Sequence, residues 1–271
     1  MMVIFDNFMH IRPSGDFINA ALRFKKAGGT ALNLVNFPEH YNVIGYYNRL
    51  YDETIKTGKI IGEYLNIVIT IGPYPLDYIY FKNLGLDPLK EMINGIDLAV
   101  NIIKNGYADA LGEIGTPHFQ VDSNFYNTCL KVLDYALKIS KDNDIPLIIH
   151  SEDLDCNGYK ALENRIKTFG NINRTVKHHA NPDNIKCCDK IYKSIVASRS
   201  GIRKALSLKK PFMIETDYVD DRSKPGKVIP PESVPLRAKM IMNNYDNADD
   251  ILSMMFSEIP YKIYKKEFFI D

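Results

Sequence analysis

At 271 residues the chain could hold two small domains or one large α/β barrel, and no linker divides it, so a single barrel domain over residues 1–271 is expected. Hydrophobic residues make up 45% and charged residues 25%, the balance of a globular enzyme with a filled core. A formal net charge of +1 excludes any long-range pull toward nucleic acid or anionic membrane, so an anion must be met by a local patch.

The elements follow one another in a regular rhythm. Residues 2–6 read as a first strand, and a helix over 16–27 follows the Pro13-Ser14-Gly15 turn and stops at Gly28 and Gly29. Strands are expected at 30–36 and 66–71, separated by a long helix over 43–64 that follows the Pro38 breaker. Gly72 and Pro73 end the third strand, and a helix over 88–104 leads to the apolar run 108–115. Asp122 or Ser123 caps the next helix, whose inner stripe is Leu130, Leu133, Ala136 and Leu137. Strands at 146–150, 174–178, 193–197 and 211–217 alternate with helices at 158–169 and 201–208, with a short helical piece before the seventh strand; helices at 234–243 and 249–257 follow. Eight strands alternating with helices predict a (β/α)8 TIM barrel with extra C-terminal helices.

Such barrels place their chemistry at the carboxyl ends of the strands. Glu113 stands there between Gly112 and Gly115, where small residues imply close backbone approach. His10, His150, His178 and Asp217 end other strands, and alternation puts Asp6, Phe8 and His10 on one face. His178 is preferred to His179 because it shares parity with Val176. Histidines with carboxylates suit Zn²⁺, Mn²⁺ or a similar ion better than Ca²⁺. Glu215 reads as a supporting acid, and Asp6 as a hydrogen-bond partner for rim groups.

No run of 18 apolar residues lacks a charge, so no membrane span is expected. The first residues carry neither a basic n-region nor a cleavage site. Cys129, Cys156, Cys187 and Cys188 show no CxxC spacing, and reduced thiols in a cytoplasmic protein are the expectation.

Taken together and in order, Asp6-Asn7-Phe8-Met9-His10, Gly112-Glu113-Ile114-Gly115, Ile149-His150-Ser151, Lys177-His178 and Glu215-Thr216-Asp217 resemble the TatD-related metal-dependent hydrolases of the amidohydrolase superfamily. Arg12-Pro13-x-Gly15, Gly115-x-Pro117-His118 and Asp217-Tyr218-Val219-Asp220-Asp221, followed by Pro225-Gly226, are similar to patterns of its archaeal-type members. The resemblance implies a barrel with one or two divalent ions (zinc, manganese or magnesium) and hydrolytic, often DNase-like, activity. It implies that Glu113 bridges two metals, that His150 and His178 hold one, and that His10 and Asp217 hold the other. Asp217 would also take a proton from the attacking water.

Two positions depart from the family pattern. Phe8 stands where the first strand has a second histidine, and Tyr74 replaces the histidine of a Gly-x-His-Pro pattern. A phenyl ring cannot ligate, so the His10 site drops to three protein ligands, or the barrel keeps one metal as a binding module. Tyr74, His118 and Arg12 are the candidate substrate contacts. Arg222, Lys224 and Lys227 lie on a Pro-rich loop that could hold an anionic group; His40 has no assigned role. The expected substrate is a phosphodiester or another small ester or amide. Nucleic acid enters only as a possible substrate, because aromatic and basic residues are not interleaved as in single-strand grooves.

Overall fold

A computed structural model of the protein describes residues 2–39, 45–220 and 229–269. Its strands are β1 (Phe5–His10), β2 (Ala31–Val35), β3 (Asn66–Ile71), β4 (Ala110–Gly115), β5 (Leu147–His150), β6 (Thr175–Lys177), β7 (Tyr192–Val196), β8 (Met213–Glu215) and β9 (Tyr218–Val219). All ladders are parallel, and the order runs β8-β7-β6-β5-β4-β3-β2-β1-β9. The ladder begins and ends in one segment, since only Thr216 and Asp217 separate β8 from β9. The sheet therefore curls back onto itself as a TIM barrel.

The seam is held by side chains as well as backbone. Thr216 donates to Asp6 through its amide (3.0 Å) and its hydroxyl (2.7 Å), and the Asp217 amide donates to the Phe8 carbonyl (3.0 Å). Asp217 adopts φ 50°, which breaks the eighth strand and accounts for nine strands among the described residues where eight are expected. The first strand lies later than residues 2–6, because Met9 and His10 pair with Tyr218 and Val219.

The helices are α1 (Ile18–Ala27), α2 (Tyr46–Ile61), α3 (Asp77–Asn83), α4 (Pro88–Lys104), α5 (Ser123–Asp142), α6 (Cys156–Phe169), α7 (Arg199–Ser207), α8 (Ser233–Asn244), α9 (Ala248–Ser253) and α10 (Ile259–Tyr264). Their ends follow capping chemistry. Asp87 accepts from the Leu89 and Lys90 amides ahead of Pro88, and Asp122 accepts from the Phe125 amide at 2.9 Å. Helix α4 buries Met92, Ile96, Ala99 and Val100 against the barrel, a face whose transfer from water contributes about 1.5–3 kcal/mol for each larger side chain. Sequence periodicity does not anticipate α3. The helix expected to stop near Ser257 continues to Tyr264, because a π-helical turn over Met254–Glu258 accommodates Pro260, which has no amide to donate.

The C-terminal segment closes the bottom of the barrel. The Tyr264 hydroxyl donates to Asn7 Oδ1 (2.8 Å), Phe268 stacks on Phe5, and Lys266 pairs with Asp109. The expectation of reduced thiols is corrected for two of the four cysteines. Cys156 at the start of α6 and Cys187 are joined in a disulfide, while Cys129 and Cys188 are free and buried. The adjacency of Cys187 and Cys188 obscures this pairing in the sequence. No helix among the described residues is long and apolar enough to cross a membrane.

Candidate metal centre

Glu113 owes its position to the two glycines beside it. Gly112 has φ 151°, and a Cβ there would lie 2.8 Å from that of Ile148; Gly115 has φ 159°, and its Cβ would lie 1.9 Å from the His150 carbonyl oxygen. Without side chains β4 presses onto β5, with an irregular register between Leu111 and Ile114 at the point where Glu113 turns into the barrel. His10 and His150 close β1 and β5, while His178 follows β6 and Asp217 follows β8.

Three imidazoles aim one nitrogen each at the Glu113 carboxylate. His178 Nε2 lies 2.8 Å and His150 Nδ1 2.9 Å from Oε2, and His10 Nε2 lies 3.5 Å from Oε1. His150 Nδ1 and His178 Nε2 are 2.9 Å apart. Glu113, His150 and His178 are buried, and their donor atoms all fall within 4.8 Å of one another. Two of the imidazoles are oriented from behind. His10 Nδ1 donates to the Val35 carbonyl (3.0 Å) and His118 Nδ1 meets His150 Nε2 at 3.2 Å, whereas His178 Nδ1 lies 3.5 Å from Glu215 Oε1 and makes no hydrogen bond.

This arrangement fits a cation. His10 Nε2 and Glu113 Oε1, both metal-ligand atoms, face each other at 3.5 Å, wider than the roughly 2.7–2.9 Å of a charge-assisted hydrogen bond and wide enough for one ion about 2.0–2.2 Å from each. Burial opposes charge on Glu113, yet His178 and His150 hold its carboxyl well below the usual range. Burial lowers His150 to about 4, against the pull of Glu113. Burial also opposes charge on His178, but Glu113 and Glu215 outweigh it and raise the imidazole to about 10. Two nitrogens and one carboxylate oxygen are a donor set that could hold a divalent metal ion.

A cavity of about 510 Å³ opens over the centre, and His10, Tyr74, Glu113, His118, His150, His178, His179 and Asp217 all reach it. Burial pushes the Asp217 carboxyl above its ordinary value although His178 pulls it down, and its Oδ2 lies 3.8 Å from His179 Nε2. His179 is exposed, whereas His178 is the one that reaches Glu113. The Tyr74 ring meets His150 edge-on at 5.2 Å, and its amide donates to buried Asp77, whose carboxylate also accepts from Tyr46 (3.1 Å) and Tyr47 (2.9 Å). Sequence reading overlooks Asp77, together with Phe37 and Asp153 of the cavity wall, and gives Ser151 of that wall no role of its own.

Phe8 is fully buried inside the centre. Its ring stacks face to face on His178 with centroids 4.1 Å apart and meets His10 edge-on at 5.0 Å, occupying space beside both imidazoles. Arg12 stands behind the cavity wall: its guanidinium lies 4.6 Å over Phe37, with Nη1 3.3 Å from Glu39 and Nη2 donating to the Asp220 carbonyl. The Asp220 carboxylate in turn accepts from the Asp16 and Phe17 amides, so the first-strand turn and the last-strand loop form one clamp. Glu215 accepts from the His179 amide and the Ser194 hydroxyl behind His178. His40, Asp221, Arg222, Lys224, Pro225, Gly226 and Lys227 lie outside the described residues.

Comparison with known proteins gives a consistent result. The family model described as TatD-related DNase matches residues 5–265. The uncharacterized protein MJ1127 of Methanocaldococcus jannaschii is 24% identical over 275 residues, covering 96% of this chain and 92% of its own length. Among solved structures, the TatD homologue YjjV of Escherichia coli K12 superposes with a TM-score of 0.69 at 18% identity, covering 98% of this chain and 100% of that one. Saccharomyces cerevisiae dihydroorotase superposes with a TM-score of 0.63 at 12% identity over 98% of this chain and 85% of its own.

Proposed function

Because the chain belongs to the TatD-related DNase family, we propose that it is a metal-dependent hydrolase that cleaves a phosphodiester or another small ester or amide with an activated water. The observation that carries this reading is the convergence of His10, His150 and His178 on Glu113 beneath an open cavity. A divalent ion held by Glu113, His150 and His178, with His10 and Asp217 beside it, would supply Lewis acidity and lower the pKa of a water there. Asp217 is the proton acceptor, since its carboxylate faces the cavity and burial raises its basicity toward that task. Tyr74, held protonated by burial, and His118 present polar atoms to the substrate, and the Tyr46–Tyr47–Asp77 cluster fixes the loop that carries Tyr74.

A second reading rests on Phe8. A phenyl ring stacked on His178 favours one bound ion rather than two, and a barrel that keeps that ion as a binding module. Metal per chain, measured by elemental analysis after reconstitution with zinc or manganese, separates the two readings, with His150→Ala as control. Near two ions per chain with turnover of a phosphodiester supports the hydrolase in its two-metal form. One ion, lost in the control, with turnover supports a mononuclear hydrolase; one ion without turnover across phosphodiesters, esters and amides supports the module. No bound ion refutes both.

A further inference from the structure

At the opposite mouth of the barrel, where the strands begin, a second cavity of about 360 Å³ opens. Its polar walls are Asp144 ahead of β5, Asn171, Asn173 and Arg174 at the short turn leading into β6, and Lys262 and Lys265 at the end of α10. We infer that this cavity binds a phosphate-type oxyanion, free or as the phosphate monoester of a small metabolite. Neither the metal centre nor the hydrolase reading calls for such a site.

Arg174 carries the argument. It is only 6% exposed, its Nη1 donates to Asp144 Oδ2 at 2.8 Å, and its buried Nε has no partner. That nitrogen is sealed from solvent, so a ligand meets Arg174 at the guanidinium edge that lines the cavity, where a charged donor group withdrawn from water calls for an acceptor. Asp144 cannot neutralise the cluster, because its side chain is 69% exposed and its charge is shared with water. Lys262 and Lys265 are exposed at the rim, and no ion pair engages either among the described residues.

Three cations thus face one carboxylate, in a chain whose whole formal charge is +1. The donor set of one guanidinium, two ammoniums and two side-chain amides suits a ligand with several acceptor oxygens and a double negative charge. A phosphate offers both, and a single carboxylate leaves part of the set unmatched.

Calorimetric titration of the metal-loaded full chain at constant ionic strength tests this, with inorganic phosphate and adenosine monophosphate as probes. The same titrations on His150→Ala separate the cavity from the metal centre. Phosphate binding should survive His150→Ala and weaken at least tenfold in Lys262→Glu/Lys265→Glu, whose exposed positions tolerate substitution; Arg174→Gln should weaken it as well if that variant folds. Equal affinity for the two probes identifies free phosphate as sufficient, and tighter binding of the monophosphate identifies a monoester ligand. Binding that vanishes with His150→Ala, persists through the double charge reversal, or is absent altogether overturns the inference. The hydrolase reading is untouched by that failure, since it is judged on metal content and turnover.

Discussion

Replacing Phe8 with histidine perturbs the centre at the point where this chain departs from its family. The phenyl ring is fully buried, 4.1 Å from the His178 centroid and 5.0 Å from that of His10. Losing the stacked contact removes about 1 kcal/mol, and a polar imidazole left unpaired in its place costs about 2 kcal/mol more. Metal-free Phe8→His should therefore be less stable than the parent by about 3 kcal/mol, read as a lower urea midpoint. An ion ligated by the new imidazole and His10 would restore about 2.7 kcal/mol at a hundredfold excess over its dissociation constant. Zinc should accordingly bring the variant's midpoint close to the parent's and raise bound metal toward two per chain. Phe8→Leu, which loses the stack and gains no ligand, should show the loss without the recovery. A parent that already binds two ions, or a Phe8→His variant with neither extra metal nor zinc-dependent recovery, would refute the view that the phenyl ring occupies a ligand position.

Other perturbations probe the frame around the centre. Gly115→Ala should destabilise the protein by at least about 3 kcal/mol, because its Cβ would meet the His150 carbonyl at 1.9 Å on a backbone with φ 159°; a thermal midpoint within 2 °C of the parent, on the order of tenths of a kcal/mol, would contradict the close approach of β4 and β5. Burial raises Asp77 to about 7, so the folded chain holds a proton there that the unfolded chain has released. Stability from this group is complete below about pH 4 and is lost as pH rises to about 7, by roughly 4 kcal/mol at most, and Asp77→Asn should flatten that fall in denaturant melts taken across the interval. Reducing the Cys156–Cys187 bridge, or replacing both cysteines with serine, should cost about 4 kcal/mol for a separation of 31 residues; identical unfolding with and without reductant would mean the bridge is not formed in solution.

What the sequence discloses is mainly local. Residues 66–71 and 88–104 coincide with β3 and α4, because an apolar run bounded by Gly72 and a Pro88 start behind an Asp87 cap leave little choice. The rim was legible for the same reason, since strand parity brings His10, Glu113, His150 and His178 to one mouth. Features that depend on distant partners were not legible. The stacking of Phe8 on His178 joins strands from opposite halves of the chain, and Asp77 is understood only beside Tyr46 and Tyr47. Helix α3 is too short, at seven residues, for its aromatic side chains to establish a period. Arg12 reads in the sequence as a substrate contact near the rim, and its engagement by the carbonyl of Asp220, 208 positions away, is visible only in the fold.

The seam has a consequence for how the protein is made. Asp6 and Thr216, which lock it, are 210 positions apart, so the earliest strand to leave the ribosome waits for the last before it gains its second neighbour. A chain interrupted before Thr216 would already possess Glu113, His150 and His178, but it would also display two unpaired edges of a parallel sheet. Such a product invites edge-to-edge association rather than partial function, and a cell would meet it as a substrate for chaperones and proteases. Synthesis through the last strand is thus the step that removes the hazard, and the same step delivers Asp217 to the cavity.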